Sequence, residues 1–223
     1  MNNSQSDHQV KVSTPDRQYK RSALMQERIE QTKRAILTAT KQLISDGGFK
    51  NAQIAQIAEM AGVSNGLVYR HFDNKSELMK AVLGDVAGME IAILQSIASS
   101  GLSARDKLHR AVKTFVKRAL NDPHMANALM LEPVDDAAFE MARFGVKADI
   151  ATAITTILQE GQTAGVWQVA DTRIAALCIV GAMTYAVIEP LNIKAQDVFD
   201  DAYRAYFSQN VADFCVNSCM NAT

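Results

Sequence analysis

A compact turn between two short helices constrains the fold of this chain more than any other feature of its sequence. The turn lies in residues 52–83, which read AQIAQIAEMAGVSNGLVYRHFDNKSELMKAVL. Apolar residues recur at helical spacing on either side of it: Ile54, Ile57, Ala58 and Ala61, then Val68 and Phe72. Gly62 permits a backbone conformation that other residues resist, and Ser64 is suited to cap the following helix. The segment therefore predicts a helix-turn-helix.

Helical spacing also dominates the rest of the chain. A first helix ends at Asp46-Gly47-Gly48 and carries one apolar stripe, made of Ile29, Ile36, Ala39, Leu43 and Ile44. Asn74 and Glu77 have the spacing of a capping box that opens a fourth helix. Glycine and proline breaks separate five further helices, at about 103–121, 123–131, 134–164, 171–188 and 196–219. Strict alternation over a strand length is absent, so we predict an all-α fold.

Three regions follow from these patterns. Residues 1–23 are polar and have no periodic apolar face, so we expect a flexible arm. Residues 24–73 form the helix-turn-helix domain, and residues 74–223 form a larger helical body. The net charge of -1 argues against a protein that coats nucleic acid, but residues 1–85 carry 12 Lys and Arg against 9 Asp and Glu. Any contact with nucleic acid must therefore come from a local patch near the N-terminal end.

The turn carries the residues of a known family. The string AGVSNGLVYRHF at 61–72, followed by Lys75, Glu77 and Leu78, resembles the signature of the TetR family. That signature is AGVS, a glycine, a tyrosine, an aromatic residue or histidine before phenylalanine, and then lysine and leucine. The resemblance is strong over about residues 27–83 and beyond them covers only the number and length of helices. It implies a DNA-binding transcriptional regulator, usually a repressor, with a C-terminal domain for effector binding and dimerisation.

The resemblance implies that the third helix enters the major groove of operator DNA. Asn65, Gly66 and Arg70 face away from the buried side of that helix. We expect Arg70 to pair with guanine and Asn65 with adenine or a phosphate. Ser64, which caps the helix, belongs to the same interface. For Leu67, contact with a thymine methyl and partial burial against the first helix are both open.

Two more side chains, Tyr69 and His71, match positions that usually contact phosphates in the family, although a structural hydrogen bond is an alternative for His71. Lys75 is a further candidate, because it lies in the first turn of a helix, where a cation opposes the helix dipole. A bound phosphate would explain Lys75, and an ordinary solvated lysine is the alternative. Where the family commonly has a threonine that caps the second helix, this chain has Ala52 and Gln53, so Gln53 stays a candidate phosphate contact without an assured capping role.

The resemblance also implies that the body holds a small-molecule effector and that its last two long helices pair with a second subunit. Two apolar stripes are assigned to this homodimer contact: Ala175, Ala176, Ile179, Val180 and Met183 on one helix, and Ala202, Ala205, Tyr206 and Phe214 on the other. Methionine and aromatic residues predict a pocket for a lipophilic effector: Met89, Phe115, Met125, Met130, Phe139, Phe144, Trp167, Met183 and Tyr185. Plain core packing is the alternative for the whole pocket set.

Several classes of site are not expected. The three cysteines, Cys178, Cys215 and Cys219, have no CxxC spacing and no nearby histidine, so we predict no metal site and no cofactor. The acidic cluster of Glu132, Asp135, Asp136 and Glu140 is interpreted as solvated or capping. The N-terminal residues lack the apolar core of a signal peptide, and no apolar stretch of the ~20 residues that span a membrane is evident. These features predict a cytoplasmic protein without a membrane partner.

Two alternatives to a ligand-responsive repressor stay open, a helical interaction or oligomerisation module and a ligand-dependent activator. An enzyme is not favoured, because the sequence contains no nucleophile elbow, phosphate-binding glycine loop or HExxH motif. A helical interaction or oligomerisation module would use the helix-turn-helix only structurally, but it would not need Tyr69, His71 and Lys75 at outward positions. A ligand-dependent activator would share every residue named above.

Overall fold

The computed structural model describes residues 15–187 and 200–220, with side chains from residue 24 onward. Within these ranges the chain is helical and contains no strand. The helices are α1 (Pro15–Gly47), α2 (Ile54–Ala61), α3 (Asn65–His71), α4 (Lys75–Ala98), α5 (Ala104–Asn121), α6 (Pro123–Met130), α7 (Ala137–Thr163), α8 (Thr172–Ala186) and α9 (Asp201–Asn217). The all-α prediction is confirmed.

Helix α1 is longer than the sequence pattern predicts. It begins at Pro15, so residues 15–23, which were assigned to the flexible arm, are helical. Proline is well suited to the first position of a helix, and the following turns contain Gln, Arg and Lys, which are good helix formers. A helix can therefore extend past the end of its buried stripe. The rest of the arm, residues 1–14, lies outside the described residues.

Side-chain caps set the starts of most helices where the sequence predicts them. The hydroxyl oxygen of Ser64 accepts a hydrogen bond from the Leu67 N–H, and the Asn74 side chain accepts one from Glu77. Asp136, in the acidic cluster, accepts a hydrogen bond from the Phe139 N–H and caps α7. The predicted helix at 196–219 begins at Asp201 in the described chain, and residues 196–199 lie outside it.

The described side chains form two hydrophobic cores. One joins α1–α3 and the first half of α4 to Met125, Ala128 and Leu129 of α6 and to Phe139 of α7. The other lies among α5, α7, α8 and α9, with the second half of α4. Helix α4 thus runs through both cores, and α6 belongs to the body in sequence but packs on α1. Packing is therefore continuous across the predicted domain boundary at residue 73.

Helix α4 is apolar enough to be considered as a membrane span by length and composition. An 18-residue window within it has a mean hydropathy of 1.5. The expectation that the chain has no such stretch was therefore wrong. A core helix passes the same test, and seven α4 residues are buried in the two cores: Leu78, Met79, Val82, Leu83, Ala87, Leu94 and Ile97.

The two faces of α8 differ from the sequence-based assignment. Ala176, Ile179, Val180 and Met183, expected at the dimer contact, are buried in the core of the chain's own body. The outward face consists instead of Ile174, Leu177, Cys178, Gly181 and Tyr185. On α9, the assigned residues Ala202, Tyr206 and Phe214 are exposed, and Ala205 is half-buried. The predicted stripe was wrong for α8 because that helix is apolar on both sides.

Candidate DNA interface and effector cavity

The geometry of the α2–α3 turn presents the first residues of α3 to solvent. Gly62 adopts φ 67°, ψ 32°, the left-handed conformation that ends α2. Ser64 is extended and caps α3. Val68 and Phe72 are buried in the N-terminal core, as their spacing predicts, and they fix which side of α3 faces outward.

The outward side of α3 brings together most of the predicted groove contacts. Asn65, Gly66, Tyr69 and Arg70 are all exposed. Leu67 and His71 are half-buried, so Leu67 retains part of its surface for contact with a partner. Arg70 and His71 form no hydrogen bond or ion pair with other described residues, which leaves their side chains able to engage a ligand.

Gln53 and Lys75 meet beside this face, at the starts of α2 and α4. The Lys75 ammonium lies 3.5 Å from Gln53 Oε1 and 3.4 Å from the carbonyl oxygen of Phe49. Gln53 makes no side-chain cap to α2 and instead donates to the Lys50 carbonyl at 2.8 Å. Desolvation lowers the pKa of Lys75, and the negative charge of Glu132 partly opposes that shift. Lys75 is therefore partly held by the protein itself.

Lys50 is an exposed cation that was not predicted to contact DNA. It lies in the turn between α1 and α2, and its carbonyl is the acceptor for Gln53. No motif marks Lys50, because only the turn between α1 and α2 brings it next to Gln53. Arg17, Lys20 and Arg21, which belong to the predicted arm, lie in α1. Their side chains are outside the part that the structure describes.

A cavity of about 370 Å³ lies where the two cores meet. Its apolar wall comes from α4, α5, α6, α7 and α8: Leu83, Val86, Ala87, Phe115, Ala119, Met125, Ala126, Leu129, Met130, Val146, Ile150 and Val180. Its polar wall consists of Lys41, Ser45, Glu90, Arg118, Asn121, Asp122, Arg143, Lys147 and Thr184. The volume falls within the range of about 300–1,000 Å³ that is usual for ligand pockets.

Three of the nine predicted pocket residues line this cavity: Phe115, Met125 and Met130. The structure places the other six elsewhere: Met89, Phe144 and Tyr185 on the surface, Phe139 in the N-terminal core, and Trp167 and Met183 in the body core. Trp167 is held there by a hydrogen bond of 2.9 Å from its indole N–H to the Leu158 carbonyl. The charged wall could not be predicted from the sequence, because charged residues on amphipathic helices are usually solvated.

Helix α6 connects the cavity to the helix-turn-helix domain at both of its ends. At its start, Asp122 caps the helix and accepts a hydrogen bond from Ser45 of α1. Just beyond its end, the Glu132 carboxylate accepts a hydrogen bond of 3.1 Å from the Phe49 N–H, in the turn that leads to α2. A change in the position of α6 would therefore act on the end of α1 and on the turn that leads to α2.

The helix-turn-helix lies in a segment that matches a known protein family. Residues 36–82, which contain the end of α1 through the start of α4, match the family model for bacterial regulatory proteins of the tetR family. The match covers the helix-turn-helix and most of the core that supports it. Residues 36–82 therefore carry the N-terminal segment that is typical of tetR-family regulators.

Curated transcriptional regulators match part of this chain. The fatty acid metabolism regulator protein of Bacillus subtilis is 25% identical over 44% of this chain and 50% of its own length. The transcriptional regulator BetI of Proteus mirabilis is 29% identical over 47% of this chain and 60% of its own length. The chain thus spans about half the length of the curated relatives that it matches.

A solved structure extends the similarity to the body. The regulator FadR of Bacillus subtilis, in complex with stearoyl-CoA, aligns over 82% of this chain and 96% of its own with a TM-score of 0.71. Sequence identity over that alignment is 21%, so the likeness concerns the fold. The shared fold therefore includes the helical body as well as the helix-turn-helix domain.

Proposed function

We propose that this protein is a dimeric repressor that binds operator DNA and releases it when a lipophilic effector enters the cavity. The observation that carries the proposal is the exposed face of α3, which lies inside the segment matched by the family model. Asn65, Tyr69 and Arg70 project from a helix whose opposite side is fixed in a core. Such a helix can enter a major groove as a rigid unit. Its place of action would be the cytoplasm.

Sequence reading and positioning fall to different residues of this interface. Arg70 can pair with two acceptors of one guanine, and Asn65 can pair with adenine. Tyr69 and His71 would contact phosphates on either side of the groove. Lys75 and Gln53 would do so beside α3, with Lys50 as an added candidate. Phosphate contacts position the helix, and base contacts determine which sequence is bound.

The cavity supports an effector with an apolar portion. Twelve of its lining residues are apolar, and they come from five helices that include α4 and α6. The Bacillus subtilis FadR structure of the same fold holds stearoyl-CoA, a molecule with a long acyl chain. By analogy, we infer that the effector of this protein carries an acyl or comparable apolar group. When the effector occupies the cavity, it would shift the population of protein conformations through the contacts that α6 makes with α1 and the turn before α2.

The decisive experiment is a fluorescence anisotropy titration on the DNA upstream of the protein's own gene, at several salt concentrations. We expect salt-sensitive binding that prefers this DNA over random sequence. Arg70→Ala should relax the preference at one base position at a cost of about 1–3 kcal/mol. Tyr69→Phe and Lys75→Ala should weaken binding to all sequences alike. Arg105→Ala, an exposed arginine on α5, is the matched control and should leave binding unchanged.

The outcomes separate the alternatives. No preference over random DNA at any salt would favour a helical interaction module in which the turn is only structural. Operator binding that strengthens when effector is added would favour a ligand-dependent activator. Unchanged operator binding by Arg70→Ala would show that the assignment of the groove face is wrong.

A further inference from the structure

We propose that Arg143, together with Lys147, binds an anionic head group of the effector, and that the effector is a single-chain amphiphile with a carboxylate. This inference rests on the proposed function and identifies the chemical class of its ligand. Both residues line the cavity and lie one turn apart on α7. Residues four apart on a helix share a face, so one ligand group can reach both.

Arg143 has an unusual set of contacts for a buried cation. It is only 6% exposed. Its Nη1 donates to Glu140 at 2.8 Å, and its Nη2 donates to the carbonyl oxygens of Glu132 and Ala128 at 2.8 and 3.2 Å. Its Nε is buried and has no acceptor among the described residues. An unsatisfied buried donor is costly, and a ligand oxygen at the cavity wall would satisfy it.

The charge of the cavity wall favours an anion over a neutral acceptor. Four cations line it, Lys41, Arg118, Arg143 and Lys147, against two carboxylates, Glu90 and Asp122. Lys41 is paired with Asp85 and Arg118 with Glu90, each at 2.7 Å, and Arg143 is paired with Glu140 at 2.8 Å. Lys147 forms no ion pair with any residue in the described ranges. Desolvation lowers the pKa of Arg143, and the negative charges of Glu140 and Glu132 partly oppose that shift.

The size of the cavity restricts the rest of the ligand. A volume of about 370 Å³ is at the lower end of the range for drug-sized ligands. It suits one alkyl chain packed against Leu83, Phe115 and Leu129, with its charged end at Arg143. A complete nucleotide-bearing thioester is much larger than this space, so a free carboxylate is the better match.

Arg143 also lies where a bound anion would be felt by the DNA-binding domain. Its guanidinium stacks on the ring of Phe139 at 4.9 Å, and that ring makes an edge contact with Phe49 at 5.5 Å between centroids. Its Nη2 holds the backbone of Glu132, whose carboxylate binds the Phe49 N–H. Two routes of direct contact thus join the head-group site to the turn that precedes α2.

The test compares saturated carboxylates of 8 to 16 carbons with primary alcohols of the same length, by calorimetry on the full chain. We expect the best carboxylate to bind about 10- to 100-fold more tightly than its alcohol, the range for a hydrogen bond to a charged group. Lys147→Met and Arg143→Lys should each reduce that preference about tenfold or more. Arg110→Met, an exposed arginine on α5 outside the cavity, should retain the wild-type preference.

Thermal unfolding of each variant shows whether it is folded, and Lys147→Met serves if Arg143→Lys is not. Equal binding of carboxylates and alcohols would overturn the head-group assignment, while operator binding measured without ligand would still support the proposed function. Absence of binding across the whole series would overturn the ligand class. Loss of operator binding in the unliganded wild type would instead count against the proposed function.

Discussion

At the residue scale, Gly161 leaves the space in which the ring of Trp167 packs in the body core. It lies on α7 where the indole of Trp167 packs against the helix, and a Cβ added at this position would overlap the ring. The indole is almost completely buried and donates to Leu158. Only glycine at 161 allows that close approach of the ring to the backbone.

Gly161→Ala should therefore destabilise the protein by about 1–3 kcal/mol, because overpacking forces the ring to move. Denaturant unfolding followed by fluorescence measures this directly, since Trp167 is the only tryptophan. Gly145→Ala on the same helix is the control, because nothing lies within 4 Å of a Cβ added there. It should be neutral or slightly stabilising. Equal losses at both glycines would mean that contact with the ring is not the cause.

Asp136 gives a prediction for acid. The Ser76 hydroxyl and the Phe139 N–H hold the pKa of the Asp136 carboxyl below its ordinary value. A carboxyl whose pKa is lower in the folded state stabilises the protein above its unfolded pKa, about 4, and loses that contribution as pH falls through the folded value. The wild type should thus exceed Asp136→Asn in stability near pH 6, and the difference should shrink toward pH 3.

Urea unfolding at several pH values measures this difference. Asp135→Asn removes the same charge from the exposed neighbouring position and should show no comparable change with pH. A difference for Asp136→Asn that is constant with pH would mean that ionisation of Asp136 contributes nothing to stability.

At the element scale, local signals predicted more than packing patterns did. The starts of α3 and α4 followed from Ser64 and Asn74, because a cap is a contact within four residues. The outward face of α8 could not be predicted, because two apolar stripes run along it and only the packed body determines which one is buried. The cavity was predicted in part for a related reason. Phe115 lines it as predicted. The position of Arg143 at its wall depends on how α6 and α7 pack, which the sequence does not show.

Helix α6 and the residue after it give an element-scale prediction. Glu132→Gln replaces the carboxylate that binds the Phe49 N–H and that faces Lys75. We expect a ligand that binds the cavity to displace operator DNA less effectively in this variant, because one of the two routes to the turn is weakened. Its affinity for the ligand should change little, since Glu132 does not line the cavity.

Anisotropy of labelled operator DNA with increasing ligand, together with calorimetry, separates these two quantities. Asp135→Asn again provides a nearby loss of charge without the contact to Phe49. Displacement that follows ligand occupancy equally in the wild type and in Glu132→Gln would exclude this route.

At the scale of the whole molecule, α8 links the cavity to a surface that one chain leaves uncovered. Val180 and Thr184 of α8 line the cavity. On its other side, Leu177 and Tyr185 are exposed, and Cys178 shares a groove with Phe214 of α9. Large apolar side chains clustered on one surface mark an interaction site. A second copy of the chain is the occupant that our proposal requires, because two α3 helices must reach major grooves about 34–36 Å apart.

Leu177→Glu should therefore convert the dimer to a monomer, because it places a charge in an apolar contact that excludes water. Light scattering after gel filtration measures the mass, and the same samples should lose operator binding. Phe144→Glu is the matched control, since Phe144 is 66% exposed on α7 and lies outside the α8–α9 surface. Cys178 adds an independent readout: a thiol reagent should label it slowly in the wild type and rapidly in Leu177→Glu. A monomeric wild type, or rapid labelling of Cys178 in a dimer, would place the subunit contact elsewhere and remove α8 as the element that joins effector to partner.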